Sequence, residues 1–305
     1  MQSFRRWLAA PVVVLGVVAI AACGSSSTSS PTTGTGTGTT STPTASAAVV
    51  KLVPAALKSK GTLTVAADAS YAPNEFVAPD GHTVIGMDPD LMKAIGAEMG
   101  VKVTVVNVPF ASILAGLAAG KYDVGASSFT DTKERQKTVD FADYFIAGES
   151  FITKSSGGVS ISTIADICGK SVAVESGTTE KDDATAQSKK CTSAGKPAVK
   201  VLVFPDQNGA NLALSSGRAQ LDFADSPVAA YQVQKSGGQF KLVGASFANA
   251  PYGLAVSKTG HLARPIQAAL LALMKNGQYS SILAHWGLQS GAIPAAQVKI
   301  NGGTS

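Results

Sequence analysis

Residues 123–144 read Asp-Val-Gly-Ala-Ser-Ser-Phe-Thr-Asp-Thr-Lys-Glu-Arg-Gln-Lys-Thr-Val-Asp-Phe-Ala-Asp-Tyr. A short apolar strand over 122–126 delivers a Ser-Ser-Phe-Thr loop, and a cationic helix start follows, with Arg135 five residues after Thr130. Hydroxyls and backbone N–H groups at a strand-to-helix junction, joined by one planar guanidinium, suit a carboxylate. An ordinary βα turn with a solvated Lys/Glu/Arg helix fits the same letters. The rest of the chain weighs between them.

On either side the pattern alternates strand and helix. Strands are expected at 61–67, 101–108 and 122–126, with helices at 88–99 and 111–119, closed by Gly100 and Gly120. The rhythm returns after Ile161. Strands are expected at 171–175, 199–204, 221–224 and 240–243, and helices at 179–190, 208–216 and 227–235. A strand at 252–257 and helices at 263–275 and 279–286 close the chain. Such alternation argues an α/β fold with largely parallel sheets, in two tandem sets joined by an extended segment, 144–153.

The N-terminus sets the compartment. Arg5 and Arg6 precede an apolar stretch, 8–20, too short for a mature membrane span, and Ala21-Ala22 lead into Cys23. This resembles the lipobox of bacterial lipoproteins, which implies acylation of Cys23, a signal peptide over 1–22 and a lipid anchor on the outer face of the cytoplasmic membrane. Residues 24–48 are almost wholly Ser, Thr, Gly, Pro and Ala without a charge, so 23–50 is expected to be a flexible tether. Loss of the two arginines with the signal peptide lowers the formal net charge from +5 to +3. That is too little, and too dispersed, for nucleic-acid binding.

Two cysteines remain, Cys168 and Cys191, and an even pair in an exported protein is expected to form a disulfide. The bond would contribute roughly 3 kcal/mol by restricting the unfolded chain. A metal site is not expected, because His82, His261 and His285 are scattered and none has ligand spacing with a cysteine.

At this point several segments together carry a family resemblance. They are Ala67-Asp68-Ala69-Ser70-Tyr71-Ala72-Pro73-Asn74-Glu75-Phe76, Gly86-Met87-Asp88-Pro89-Asp90-Leu91, Gly116-Leu117-Ala118-Ala119-Gly120-Lys121-Tyr122-Asp123, the Ser-Ser-Phe-Thr…Arg loop, Gly177-Thr178-Thr179, Ala224-Asp225-Ser226 and Gly277-Gln278-Tyr279…Trp286-Gly287. From Lys60 onward the chain resembles an amino-acid-binding protein of an ABC importer, of the type II periplasmic-binding-protein fold. The resemblance implies two α/β lobes, each with a mixed, mostly parallel sheet flanked by helices, joined by a two-segment hinge. Lobe 1 would be 51–152 with 246–305 and lobe 2 would be 153–245. It also implies a monomer that binds a free amino acid, needs no cofactor and delivers its ligand to permease subunits.

Carried over by position, the resemblance puts Arg135 on the ligand's α-carboxylate, assisted by Thr130, Thr178 and the backbone at Thr179. Asp225 would take the α-ammonium with the Ser128 carbonyl, while Tyr71, Phe110 and Phe129 would wall the site. Both charges of a zwitterion leaving water need partners. Asp225 also fits a helix N-cap before Ser226-Pro227, and Asp88 and Asp90 read as caps. Many relatives place an aromatic where this chain has Asn74 and Glu75. Asp68, Asn74 and Glu75 lean toward a polar, cationic ligand side chain, although Glu75 fits a solvent-facing position equally well. Glutamine and glutamate stay open. Two rival functions share the fold: a tethered sensor signalling to a membrane kinase, and a dehydratase-like enzyme, for which Glu175 would be a candidate cleft carboxylate.

Overall fold

The computed structural model describes residues 45–304. Cys23 and most of the Ser/Thr-rich segment lie outside the described residues. Two short helices open the body, α1 (Ala47–Leu52) and α2 (Ala55–Lys60), followed by strand β1 (Thr62–Ala67). A small antiparallel sheet comes next, of β2 (Ser70–Tyr71), β3 (Glu75–Val77) and β4 (Val84–Ile85). Then follow α3 (Met87–Met99), β5 (Lys102–Asn107), α4 (Phe110–Ala118), β6 (Val124–Gly125) and the long strand β7 (Val139–Lys154). The second set is β8 (Ser171–Glu175), α5 (Thr179–Ser193), β9 (Lys200–Phe204), α6 (Gln207–Ser216), β10 (Leu221–Asp225) and α7 (Ser226–Lys235). A second long strand, β11 (Phe240–Ser257), leads to α8 (Ala263–Lys275) and α9 (Gln278–Trp286).

The main sheet has the order β5-β1-β6-β11-β7-β10-β8-β9. At one end β5, β1 and β6 run parallel, and at the other β9, β8 and β10 do the same. The two long strands lie antiparallel between them and belong to both ends. The first part of β7 pairs with the last part of β11, which also pairs with β6. Beyond Gly148, β7 pairs with β10 from Glu149 to Ile152. The result is two α/β lobes, each with its own core and helices.

Lobe 1 is filled by α3 and α8, whose apolar residues recur at helical spacing. Met87, Leu91, Met92, Ile95 and Met99 on α3, and Ile266, Ala269, Leu270 and Leu273 on α8, are buried. Gly100 ends α3 in the left-handed region at φ 72°, as its position in the sequence implies. In lobe 2, Phe151, Phe223 and Phe247 stack from three adjacent strands, β7, β10 and β11. Cys168 and Cys191 are disulfide-bonded, tying the turn before β8 to α5.

Four local expectations change. The strands read at 240–243 and 252–257 are one strand, interrupted by register shifts between Val243 and Phe247, Phe247 and Ala250, and Tyr252 and Gly253. The helix expected after Thr130 is a single 3₁₀ turn, Arg135–Lys137. Helix α1 begins within the residues assigned to the tether, taking in 47–50, because Val49 is buried in the lobe 1 core. Asp88 is no cap: Gly86 occupies that position on α3, and the Asp88 carboxylate accepts from Tyr144 Oη (2.6 Å) and the Ser128 N–H (2.9 Å).

Candidate functional site

Where the lobes meet, a cavity is lined by Asp68, Tyr71, Glu75, Phe110, Ser127, Ser128, Thr130, Arg135, Glu175, Thr178, Thr179, Glu180 and Asp225. Nine of the ten candidates read from sequence lie on it. The exception is Phe129, fully buried behind Phe110 with the two rings stacked at 4.5 Å. The Arg135 guanidinium lies 5.5 Å from the centroid of each ring, so Phe129 shapes the site from behind the wall.

The loop after β6 is held hard. Ser128 adopts φ 51°, in the left-handed region, which costs a serine free energy unless its surroundings over-determine it. They do. Its N–H bonds Asp88, while its hydroxyl donates to Glu75 Oε2 (3.2 Å) and accepts from Asn74 Nδ2 (2.8 Å). The turn that follows brings Arg135 back, with its Nη1 donating to the Thr130 carbonyl at 2.9 Å. Lys133 points outward to Gln136 Oε1.

Among the described residues, three hydrogen-bonded pairs bridge the lobes at the cavity. Arg135 Nη2 donates to the Gly177 carbonyl at 3.0 Å. The Tyr71 hydroxyl donates to Asp225 Oδ2 and accepts from the Asp225 N–H, both at 3.0 Å. Ser70 Oγ accepts from the Gln207 N–H at 3.0 Å and donates to Asp68 Oδ1. With these contacts made, the cavity volume is about 10 Å³, room for roughly one water. A larger guest needs the lobes to part.

Asp225 stands at the N-cap position of α7, yet its side chain makes no cap hydrogen bond and turns to Tyr71 instead. The side chain faces the cleft. Asp68 has both oxygens engaged, by the Ser70 N–H and hydroxyl and by the Phe110 N–H at the start of α4. It orders the wall. Thr178 caps α5 through the Lys181 N–H, which presents the helix N-terminus to the cavity.

The signal that sequence reading underweighted is negative charge. Glu75 is wholly buried, its oxygens accepting from Ser127 and Ser128, and it does not face solvent. Glu175 and Glu180 are buried on the same cavity, each with Oε1 unpartnered. Glu175, read from sequence only as a candidate cleft carboxylate for an enzyme, ends a parallel strand, where α/β folds place ligand groups. Glu180 sits in the first turn of α5 and reads as an ordinary helix-dipole acid.

Five carboxylates and one guanidinium therefore share one small cavity. Burial raises all five: Asp225 to about 6, Glu175 to about 9, Asp68 more modestly, and Glu75 and Glu180 well above the carboxylate range. Neighbouring acids raise Glu75 and Glu180 further, Asp88 in the first case and Asp225 in the second. Burial lowers Arg135, opposed by Glu180, Asp225 and Asp182. A second cation would relieve the crowding.

At Gly177 the two backbones approach closely. At φ 85° it favours glycine, and a Cβ there would stand 3.1 Å from Cα and Cβ of Ala111 across the cleft. Gly177→Ala is expected to hinder closure and weaken ligand binding roughly tenfold, the scale of about 1–2 kcal/mol for a left-handed alanine. Titration calorimetry checks this, and an unchanged Kd would count against a closure role.

The chain is 35% identical over 248 residues to the arginine-binding protein ArgT of Corynebacterium glutamicum, covering 81% of each chain. An ancestral arginine-binding protein solved bound to arginine is similar at 37% identity and TM-score 0.68, over 74% of this chain and 98% of that one. An ancestral arginine-binding protein bound to glutamine gives 37% identity and TM-score 0.67, over 75% and 98%. Residues 63–289 match the bacterial extracellular solute-binding proteins, family 3, and the chain belongs to that family.

Proposed function

We propose that this protein captures a free cationic amino acid, arginine foremost, outside the cytoplasmic membrane and delivers it to an ABC permease. The observation that carries the reading is the charge of the cavity: five buried carboxylates against one arginine. An amino acid with a cationic side chain brings two positive groups and one negative, a net positive charge that reduces that imbalance; glutamate would add a negative charge to it. Arg135 and the α5 N-terminus take the α-carboxylate, and Asp225 with Glu180 takes the α-ammonium. Glu75 and Glu175 are left for the side chain. The arginine-binding names of its relatives support this assignment, and the glutamine-bound one marks the nearest competitor.

The two lobes are 51–152 with 246–305, and 153–245, hinged where β7 and β11 cross between them. The groups for the α-carboxylate and α-ammonium lie on different lobes, so the ligand favours the closed arrangement by bridging both. The site acts by binding and not by catalysis; its acids are placed to balance charge. Cys23 carries the lipid anchor, residues 1–22 are removed as a signal peptide, and the body works as a monomer at the outer face of the cytoplasmic membrane. Among the described residues no helix is long and apolar enough to cross a membrane.

A thermal-shift screen of the twenty amino acids tests the ligand. At a thousandfold excess over Kd, a ligand stabilises by about 4.1 kcal/mol, which for a body of this size raises Tm by roughly 8–16 °C. L-arginine should give the largest rise, lysine less, and glutamate none. A largest rise with glutamine or glutamate would replace this reading. For the anchor, wild type should partition into detergent while Cys23→Ala stays aqueous; wild type found wholly in the aqueous phase would remove the lipid from the account.

A further inference from the structure

Beyond Asp225 lies a second cavity of about 220 Å³, lined on its acidic side by Glu149, Asp182 and Asp183 and walled by Thr132, Ala248 and Ala250. It shares Thr130, Thr179 and Asp225 with the central cavity, but Glu149, Asp182 and Asp183 do not line that one. We propose that this hinge cavity is a second subsite, which takes an organic cation, an ammonium or a guanidinium, between Glu149 and Asp183.

Strand pairing forces the arrangement. Glu149 on β7 is the direct antiparallel partner of Asp225 on β10, so their side chains leave the same face of the sheet side by side. Like charges placed directly opposite are destabilising unless something neutralises them. On its other side Glu149 pairs with Phe247, where β11 breaks register and Ala248 takes φ 53°. That irregularity opens the sheet edge into the cavity wall, as bulges beside binding sites do.

Glu149 is 4% exposed, and its Oε2 has no hydrogen-bond partner. An unpaired carboxylate oxygen so deeply buried costs free energy. Asp182 is engaged by Lys181 Nζ at 2.8 Å, but among the described residues neither Glu149 nor Asp183 belongs to an ion pair. Burial, with Asp183 and Asp225 beside it, raises Glu149 to about 8, the behaviour of a group short of a cation. A volume of about 220 Å³ gives room for an organic cation held by hydrogen bonds. Lying just outside the proposed ammonium partner Asp225, it could hold a cationic ligand as the cleft opens. The subsite itself rests on Glu149 and its neighbours and not on which amino acid the central cavity takes.

The test is guanidinium chloride at low millimolar concentration, against sodium chloride at equal ionic strength, followed by amide NMR of the full-length protein. Saturable shifts at Thr132, Glu149, Asp183 and Ala248 with guanidinium but not sodium are expected. They should fall at least fivefold in the Glu149→Gln, Asp183→Asn double variant and persist in Arg135→Ala, whose central site is crippled. Shifts that do not saturate, that sodium reproduces, or that survive the double variant would overturn the proposal. An arginine titration run in parallel separates the readings: its failure with the guanidinium response intact would remove the central ligand and leave the subsite.

Discussion

Arg135→Ala should weaken amino-acid binding by thirty-fold to a few thousand-fold. Its guanidinium reaches from the Thr130 carbonyl to the Gly177 carbonyl across the cleft and lies against Phe110 and Phe129. A ligand carboxylate there gains a planar, charge-assisted partner with little water near it. Truncating one member of such a pair typically costs about 2–5 kcal/mol, much of it from the charge left unpaired. Lys133→Ala, two residues away, removes an exposed ammonium that touches only Gln136 and should leave Kd within twofold. Esterifying the ligand's carboxylate should abolish binding to wild type and add little further loss in Arg135→Ala. Calorimetry on these pairs is decisive, and near-wild-type affinity in Arg135→Ala would place the carboxylate elsewhere.

Much of this was legible in the sequence because local chemistry dictated it. Helix α3 is closed by Gly100, and α5 is expected at 179–190 from the strand–helix alternation. The two long strands were harder. β7 and β11 change partners partway, and their glycines and register shifts read as breaks although the chain runs on. The loop carrying Ser128, Thr130 and Arg135 stood out by residue type alone. Phe129 stood beside them in sequence, but its ring packs into the core behind Phe110, a tertiary contact that residue type does not reveal. Glu180 goes unread, and Glu75 and Glu175 are named only as open candidates, for another reason. A glutamate is ordinarily at the surface, and only the tertiary meeting of β3, β8 and α5 buries three of them together.

That meeting has a consequence for pH. Binding of a cationic amino acid should strengthen about tenfold per pH unit between pH 6 and 8, with about one proton released on binding. Cavity acids raised by burial, Glu175 to about 9 among them, still hold protons in this range when the site is unliganded. An arriving guanidinium or ammonium favours the ionised carboxylate, so ligand and proton compete and acidity weakens binding. Stability of the unliganded protein should move the opposite way. Glu149 and Asp143 are raised to about 8 and Glu175 to about 9, while the unfolded chain releases those protons near 4. The native state then binds more protons than the unfolded one across that window, and its contribution to stability is lost as pH rises from about 4 through about 9. The unliganded Tm is therefore expected to fall toward alkaline pH while the shift produced by arginine grows. Calorimetry in buffers of different ionisation enthalpy counts the proton directly. A Kd that is flat across pH 6–8, with no buffer dependence of the binding heat, would mean that the cavity acids are already ionised and that burial does not hold their protons.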